Sequence, residues 1–285
     1  MATEDADELL AAWETSSQYW NKYRALIEKM FASLTRALID DAHLGASQSV
    51  LDVGGGSGEP SLTIASVVGD SGCVTYTDPS DGMVKAAREE AERRGLRNIR
   101  FHQCTAQLLP FSDNSFDVAV SRLSAMFFPD VLAGLREILR VVRPGGPVSF
   151  VVWASRELNP FFTIITEILE EFIAADPEDE DVPAAFRFAG PGKLARLLEE
   201  AGTTSVRERT LEFKIEAPIT VARFWELRTE MSDTLRSKLK KLAPEQVAAV
   251  REAVEKAGAG FFLSGQMNFP AQALIVTGKK PNSTL

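Results

Sequence analysis

The sequence predicts an α/β fold organised around a parallel sheet. Two observations carry that expectation. Between residues 49 and 153, short runs rich in β-branched and aromatic residues alternate with stretches of helical periodicity, the pattern of βαβ units whose sheet is covered on both faces. Directly after the first run the chain reads VLDVGGGSGEPSLTIA over 50–65. Glycines there sit between two of the most structured segments, where a ligand has to come close to the backbone.

Taken in order, residues 5–42 read as helical, with Leu9, Leu10, Trp13, Leu26, Ile27, Met30, Phe31, Leu34 and Leu38 at helical spacing and Gly45 as a stop. The strand SVLDV (49–53) leads to a helix at 60–69, with Pro60 suited to its first turn. The strand CVTYT (73–77) leads to a helix at about 80–94 that Gly95 ends. IRFHQC (99–104) and FDVAVS (116–121) are strands, the second followed by a helix at about 130–142, and RPGG (143–146) turns the chain into the strand PVSFVVW (147–153). Beyond Trp153 the rhythm changes. An apolar helix and the acidic loop ADPEDEDVP fall within 155–190, GPGKLARLLEEAG (190–202) is a helix, VRERTLEFKIEA (206–217) a strand and AQALIVTG (271–278) a final strand. More than fifty residues separate the last two strands, where a hairpin needs only a handful, so 217–270 is an insertion. The expected organisation is N-terminal helices (1–45), a core (46–154), a helical segment (155–190), a core helix and strand (191–216), the insertion, and a last strand with its tail (271–285). Segments 1–45, 155–190 and 217–270 are expected to form a helical cap over the site.

The bulk composition narrows the function. A net charge of −9 argues against nucleic acid or an anionic membrane as partner, since both need a basic face. Lys238, Lys240 and Lys241 read as a solvated helix face. Two cysteines, Cys73 and Cys104, are too few for a disulfide framework or a four-ligand zinc site and read as small core residues. No metal is expected. The acidic start MATEDADELL is unlike a signal peptide, and no run approaches the roughly 18–20 apolar residues of a membrane span. The expected location is the cytoplasm. Nothing fixes the oligomeric state.

The glycine loop is more specific. A dinucleotide fingerprint, G-x-G-x-x-G, would need a third glycine where Glu59 stands, and a carboxylate there is the wrong sign for a diphosphate. The spacing present is Asp52-x-Gly54-x-Gly56-x-Gly58, whose acidic flanks suit a ligand carrying positive charge. This loop resembles motif I of the class I S-adenosylmethionine-dependent methyltransferases. VTYTDPSDGMVKAARE resembles the second motif of that family, CTAQLLPFSDNSFDVAVSR its loop and fourth strand, MFFPDVLAGLREILRVVRPGG the helix and turn before strand five, and FPAQALIVTGKK its ending. The likeness is strongest to the subgroup similar to ubiquinone/menaquinone C-methyltransferases.

The resemblance implies a Rossmann-like, seven-stranded sheet with an antiparallel last strand, S-adenosyl-L-methionine as cofactor and S-adenosyl-L-homocysteine as product. It places Asp52, Gly54, Gly56 and Gly58 around the amino-acid end of the cofactor, Asp78 at the ribose with Pro79 and Met83 beside it, and Thr105, Ala106 and Gln107 near adenine. Arg122 stands either for holding the cofactor carboxylate or the loop, or for a surface ion pair. Two positions depart from the family. Its Asp-Ala-Glu-type triplet is Thr105-Ala106-Gln107 here, which offers oxygen acceptors but no carboxylate, and residue 55, often Cys, is Gly.

The implied reaction transfers a methyl group to a small, largely apolar or aromatic molecule, with Tyr19, Tyr23, Phe127 and Trp153 as candidate walls. The catalytic residue is unassigned, with His43 and Glu59 as candidates. The alternatives are a catalytically silent methyltransferase-like binding protein and an NAD-dependent oxidoreductase.

Overall fold

The computed structural model describes residues 2–174 and 182–282. Most of the acidic loop read at 175–183 lies outside them. The N-terminal helices are α1 (Ala2–Met30) and α2 (Ala32–Asp41). The alternating core follows as β1 (Ser49–Val53), α3 (Ser61–Val68), β2 (Cys73–Asp78), α4 (Asp81–Arg93), β3 (Ile99–Gln103), β4 (Val118–Arg122), α5 (Val131–Val141) and β5 (Pro147–Trp153). Helices α6 (Pro160–Leu169) and α7 (Lys193–Glu200) lead to β6 (Thr204–Ala217). Three helices then intervene, α8 (Val221–Met231), α9 (Asp233–Leu239) and α10 (Pro244–Gly258), before the two-residue β7 (Phe262–Leu263) and the long β8 (Gln266–Lys279). No helix among the described residues is long and apolar enough to cross a membrane.

The sheet order is β3-β2-β1-β4-β5-β8-β6, with β7 paired to β8. Strands β1 to β5 are parallel, and β8 runs antiparallel to both β5 and β6. The expected parallel sheet with an antiparallel last strand is therefore present. Strands β4 and β5 are buried along almost their whole length, as central parallel strands must be when helices cover both faces. The last strand starts five residues earlier than its apolar run suggests, because Met267–Phe269 continue the ladder against Ala217–Ile215 and Gln266 pairs with Leu263 of β7. The basic trio also differs from expectation, since Lys238 is buried while Lys240 and Lys241 are exposed.

Helix α1 is joined to α4 by a charged seam. Glu90 of α4, 2% exposed, accepts from Arg24 of α1 at 2.6 Å and from Arg93 and Arg94 at 2.6 and 2.7 Å. Arg94 also reaches Glu28 of α1 at 2.5 Å. The bonds from Arg93, more than the other arginines, hold the Glu90 carboxyl at about 2, against an ordinary 4.5. A carboxylate depressed in this way contributes stability above its unfolded value and loses it as pH falls through the folded one. We expect Glu90→Gln to lower the unfolding free energy by about 2–3 kcal/mol at neutral pH. Urea denaturation checks this, and the gap between variant and wild type should shrink as pH falls from about 4.5 towards about 2.

Candidate functional site

The strand order reverses between β1 and β4, so their carboxyl ends open a crevice, the place where open α/β sheets bind ligands. The loop after β1 meets the loop after β4 there. A Cβ on Gly54 would lie 1.8 Å from Ser124 Oγ, and Gly54 is in the left-handed region at φ +72°, so neither another side chain nor another conformation fits. Gly54 and Gly55 both donate their N–H to Thr77 O at 2.8 and 3.0 Å, which folds the loop back onto β2. Gly56 differs: a Cβ there would meet nothing within 4 Å, and the residue lines the cavity described below. Its missing side chain leaves open space for a ligand. Gly58 serves packing, since a Cβ would lie 2.6 Å from Leu62 Cδ1 at the start of α3.

Acidic groups surround this loop. Asp78, at the end of β2, accepts from Gly56 N and Ser80 N at 3.0 Å, one bond to each carboxylate oxygen, and each oxygen keeps a lone pair for a further donor. Burial pushes its carboxyl up to about 6, opposed by those two amides and reinforced by Glu14. Asp52 lies behind the loop, fully buried; Oδ2 accepts from Ser61 Oγ at 2.6 Å while Oδ1 has no partner. Burial raises it to about 7, against the pull of Ser61 and Arg122. Glu59 is buried too and is raised chiefly by desolvation. Arg122 is no surface ion pair. It donates to Thr35 Oγ1 at 2.7 Å and to Glu59 O at 3.2 Å, tying the glycine loop to α2.

A cavity of about 250 Å³ opens over the loop. A water takes up roughly 30 Å³, so this is space for a ligand. Of the residues singled out from the sequence, Gly54, Gly56, Glu59, Asp78, Pro79, Met83, Thr105, Ala106, Gln107, Arg122 and Phe127 line it. Gln107 Nε2 donates to Asp130 O at 3.0 Å, which engages its nitrogen and leaves its oxygen as an acceptor. Cys104, read as a core residue, is on the cavity wall, its thiol pushed up to about 11 by burial.

The other wall is α1, through Leu9, Leu10, Trp13, Trp20, Arg24 and Ile27. Trp13 makes an edge contact with Phe127, ring centroids 4.9 Å apart. Three of the four aromatic candidates are elsewhere. Tyr23 is buried with its hydroxyl on Glu230, Tyr19 lies under Arg236, and Trp153 is enclosed in the core against Phe31, Phe162 and Phe213. His43 is exposed at the end of α2, away from the cavity. Of the segments expected to form the cap, 1–45 supplies α1 to the cavity wall. The described parts of 155–190 and 217–270 contribute nothing to the cavity wall, which α1 alone covers. Trp13, Trp20 and Ile27 are one heptad apart on one side of the helix, and Ser16, Tyr23 and Met30 on another. That phase was available in the sequence, although which stripe faces the ligand was not.

The fit to an S-adenosyl sulfonium is chemical. The open cradle at Gly56, the spare acceptors of Asp78 and the unpaired Asp52 Oδ1 behind the loop suit a ligand bearing hydroxyls and positive charge.

A methyltransferase-domain family matches residues 50–146. An uncharacterised protein of Mycobacterium tuberculosis is 33% identical over 147 residues, 52% of this chain and 52% of its own length, so the match spans about half of that relative. The demethylmenaquinone methyltransferase of Listeria monocytogenes is 30% identical over 168 residues, covering 56% of this chain and 71% of the relative. Among solved structures, the YcgJ protein of Bacillus subtilis overlays 87% of this chain and 98% of its own with a TM-score of 0.56 at 21% identity, a likeness of fold. Together with four motifs in order and a glycine loop at the switch point, these matches establish that the chain belongs to the class I S-adenosylmethionine-dependent methyltransferases.

Proposed function

We propose that this protein methylates a small, largely apolar or aromatic molecule. The observation that carries the reading is a single cavity with two kinds of wall. Gly54, Gly56, Asp78 and residues 105–107 supply a polar wall, while Leu9, Leu10, Trp13, Phe127 and Phe128 supply an apolar one. The demethylmenaquinone methyltransferases among its relatives make quinols the first acceptors to try, with phenols and amines next.

When bound, S-adenosylmethionine supplies an electrophilic methyl group on a sulfonium, taken by the acceptor in an in-line displacement. Asp78 would hold the ribose hydroxyls, Gln107 and Thr105 the adenine edge, and the Asp52–Ser61 pair would order the loop around the amino-acid end. Arg122 fixes that loop by bonding the Glu59 carbonyl. Helix α1 would exclude water and orient the acceptor. Orientation of this kind is worth up to roughly 7–11 kcal/mol of barrier. Neither histidine lines the cavity, so the proposed acceptor is already nucleophilic. Glu59 is the remaining candidate base, but its Oε2 accepts from Thr63 at 2.8 Å and its carboxylate is buried behind the loop.

Calorimetric titration with S-adenosylmethionine and S-adenosylhomocysteine tests the cofactor half. We expect micromolar binding, weakened about 10–100-fold in Asp78→Ala through loss of charge-assisted bonds. No binding, or tighter binding of NAD, would sink the reading. The pH dependence has a definite sign. Ionised Asp78 is the form that receives hydroxyls, and ionised Asp52 behind the loop adds negative potential, so affinity for the sulfonium should fall as pH drops through about 7 and about 6. Proton release on binding, measured in buffers of different ionisation enthalpy, checks it. For the acceptor half, Trp13→Ala should leave the S-adenosylhomocysteine Kd within about threefold and raise the acceptor KM about tenfold or more. Cofactor binding with no turnover across the quinol, phenol and amine panel would favour a silent binding protein.

A further inference from the structure

The insertion 217–270 adds no side chain to the cavity wall, yet it grips the helix that forms that wall. Behind the Trp13–Trp20 face, Glu230 at the end of α8 accepts from Lys22 Nζ at 2.6 Å and from the Tyr23 hydroxyl at 2.8 Å. Tyr23 is only 3% exposed, so loss of that acceptor would strand a buried donor. Arg236 of α9 donates to Ser16 Oγ at 2.8 Å and to Asp233 at 2.9 Å, also bonds the backbone carbonyl of Glu230, and lies 5.0 Å from the centre of the Tyr19 ring. Arg223 lies 4.9 Å from the centre of the Tyr23 ring. Among the described residues, the buried apolar anchors of α1 are Tyr23, Ile27 and Met30 in its second half, with Tyr19, Trp20 and Leu26 partly buried against the core. Besides the Trp13–Phe127 ring contact, the stretch that carries Trp13 is held by polar bonds: Glu14 to Ser80 Oγ and Gly82 N at the start of α4, and Arg236 to Ser16.

We propose that the insertion is a latch for α1, in which Glu230 and Arg236 are positioning residues that set how tightly the cavity is closed without touching its contents. A helix held at one end by a few polar bonds and one edge contact between rings is poised to open locally while the sheet stays folded. Release of Glu230 and Arg236 lets the Trp13 segment swing out, and closure returns Trp13 to Phe127. The insertion thus acts on ligand residence through α1. The consequence for binding rests on the cavity being the cofactor and acceptor site, whereas the closure itself does not.

Hydrogen exchange with mass spectrometry on the full chain separates the two. The variants are the double substitution Glu230→Ala/Arg236→Ala and a control, Arg251→Ala, which breaks an exposed pair with Glu255 within α10. In the double variant, amides of residues 8–28 should exchange about tenfold faster or more while β1–β5 keep wild-type protection, and saturating S-adenosylhomocysteine should restore much of the protection. Its Kd for S-adenosylhomocysteine should rise about fivefold or more, chiefly through faster dissociation. Glu230→Gln, which can still accept from Tyr23, should fall between wild type and the double variant, and Arg251→Ala should match wild type. Unchanged exchange of α1 overturns the latch, as does acceleration spread evenly over the sheet, which would make these contacts ordinary stability. Faster α1 exchange with an unchanged Kd overturns its role at the site. If the wild type binds no S-adenosylhomocysteine while α1 exchange accelerates in the double variant, the latch stands and the methyltransferase reading falls.

Discussion

The site depends on how Tyr76 fits beneath the glycine loop. This fully buried side chain donates its hydroxyl to Gly56 O at 2.5 Å, and its ring fills the space that a Cβ on Gly55 would need, 2.4 Å from Cε2. Loop and strand are therefore matched as a pair: a bare residue at 55 admits the ring, and the ring holds the next carbonyl. With Gly56 O fixed below, Gly56 N is free to donate to Asp78, two residues beyond Tyr76 on the same strand. Burial holds the Tyr76 phenol well above its ordinary value, so it remains a donor at neutral pH. A side chain at 55 would have to displace either the ring or the loop, and with the loop would go the amide that orients Asp78. Gly55 is thus tied to this particular tyrosine.

The same economy of parts governs α1. One helix forms the cavity wall, the charged seam to α4 and the contact with the insertion, because its period separates these roles onto different sides. Ile27, at the end of the cavity-facing stripe, also anchors the helix in the core. The seam through Arg24, Glu28, Glu90 and Arg94 lies beside the cavity, and Arg24 and Glu28 also line it. The helix therefore carries charge on its margins and tryptophan at its centre, an arrangement in which the proposed apolar acceptor would meet rings while the salt links remain at the edge.

Much of this was legible in the sequence, and the reason differs residue by residue. The alternation of strands and helices, the glycine spacing and the distance to Asp78 are local patterns, and local patterns survive in one dimension. Residues 105–107 were placed by their position after β3, and they line the cavity although the carboxylate common in the family is absent. The aromatic candidates are a different case. Tyr23 and Trp20 lie three residues apart on one helix, and composition treats them alike; only the partners on each side, α8 or the crevice, decide which faces ligand. Trp153 ends a strand at the ligand edge, yet the junction between α1 and α2 and helix α6 close over it through Phe31 and Phe162. The insertion was recognisable by its length, but length says nothing of where it folds. The start of β8 was misjudged because Pro270 interrupts an otherwise readable strand, and it is tolerated opposite Lys214.

The electrostatics of the cavity explain why its carboxylates keep raised pKa values. Asp52 and Asp78 are buried within reach of Glu59 and Glu14, and the arginine beside them, Arg122, is bonded to Thr35 and to a carbonyl, with no direct bond to either aspartate. In the free protein each aspartate pays for burial without a close cation, which is why both sit between about 6 and about 7. A sulfonium ligand with an ammonium group would supply the missing charge, and the free energy recovered by ionising these groups beside it adds to affinity. A neutral or anionic occupant would recover none of it. On the proposed reading, charge selects the cofactor at the polar wall, and the apolar wall of α1 is left for the acceptor.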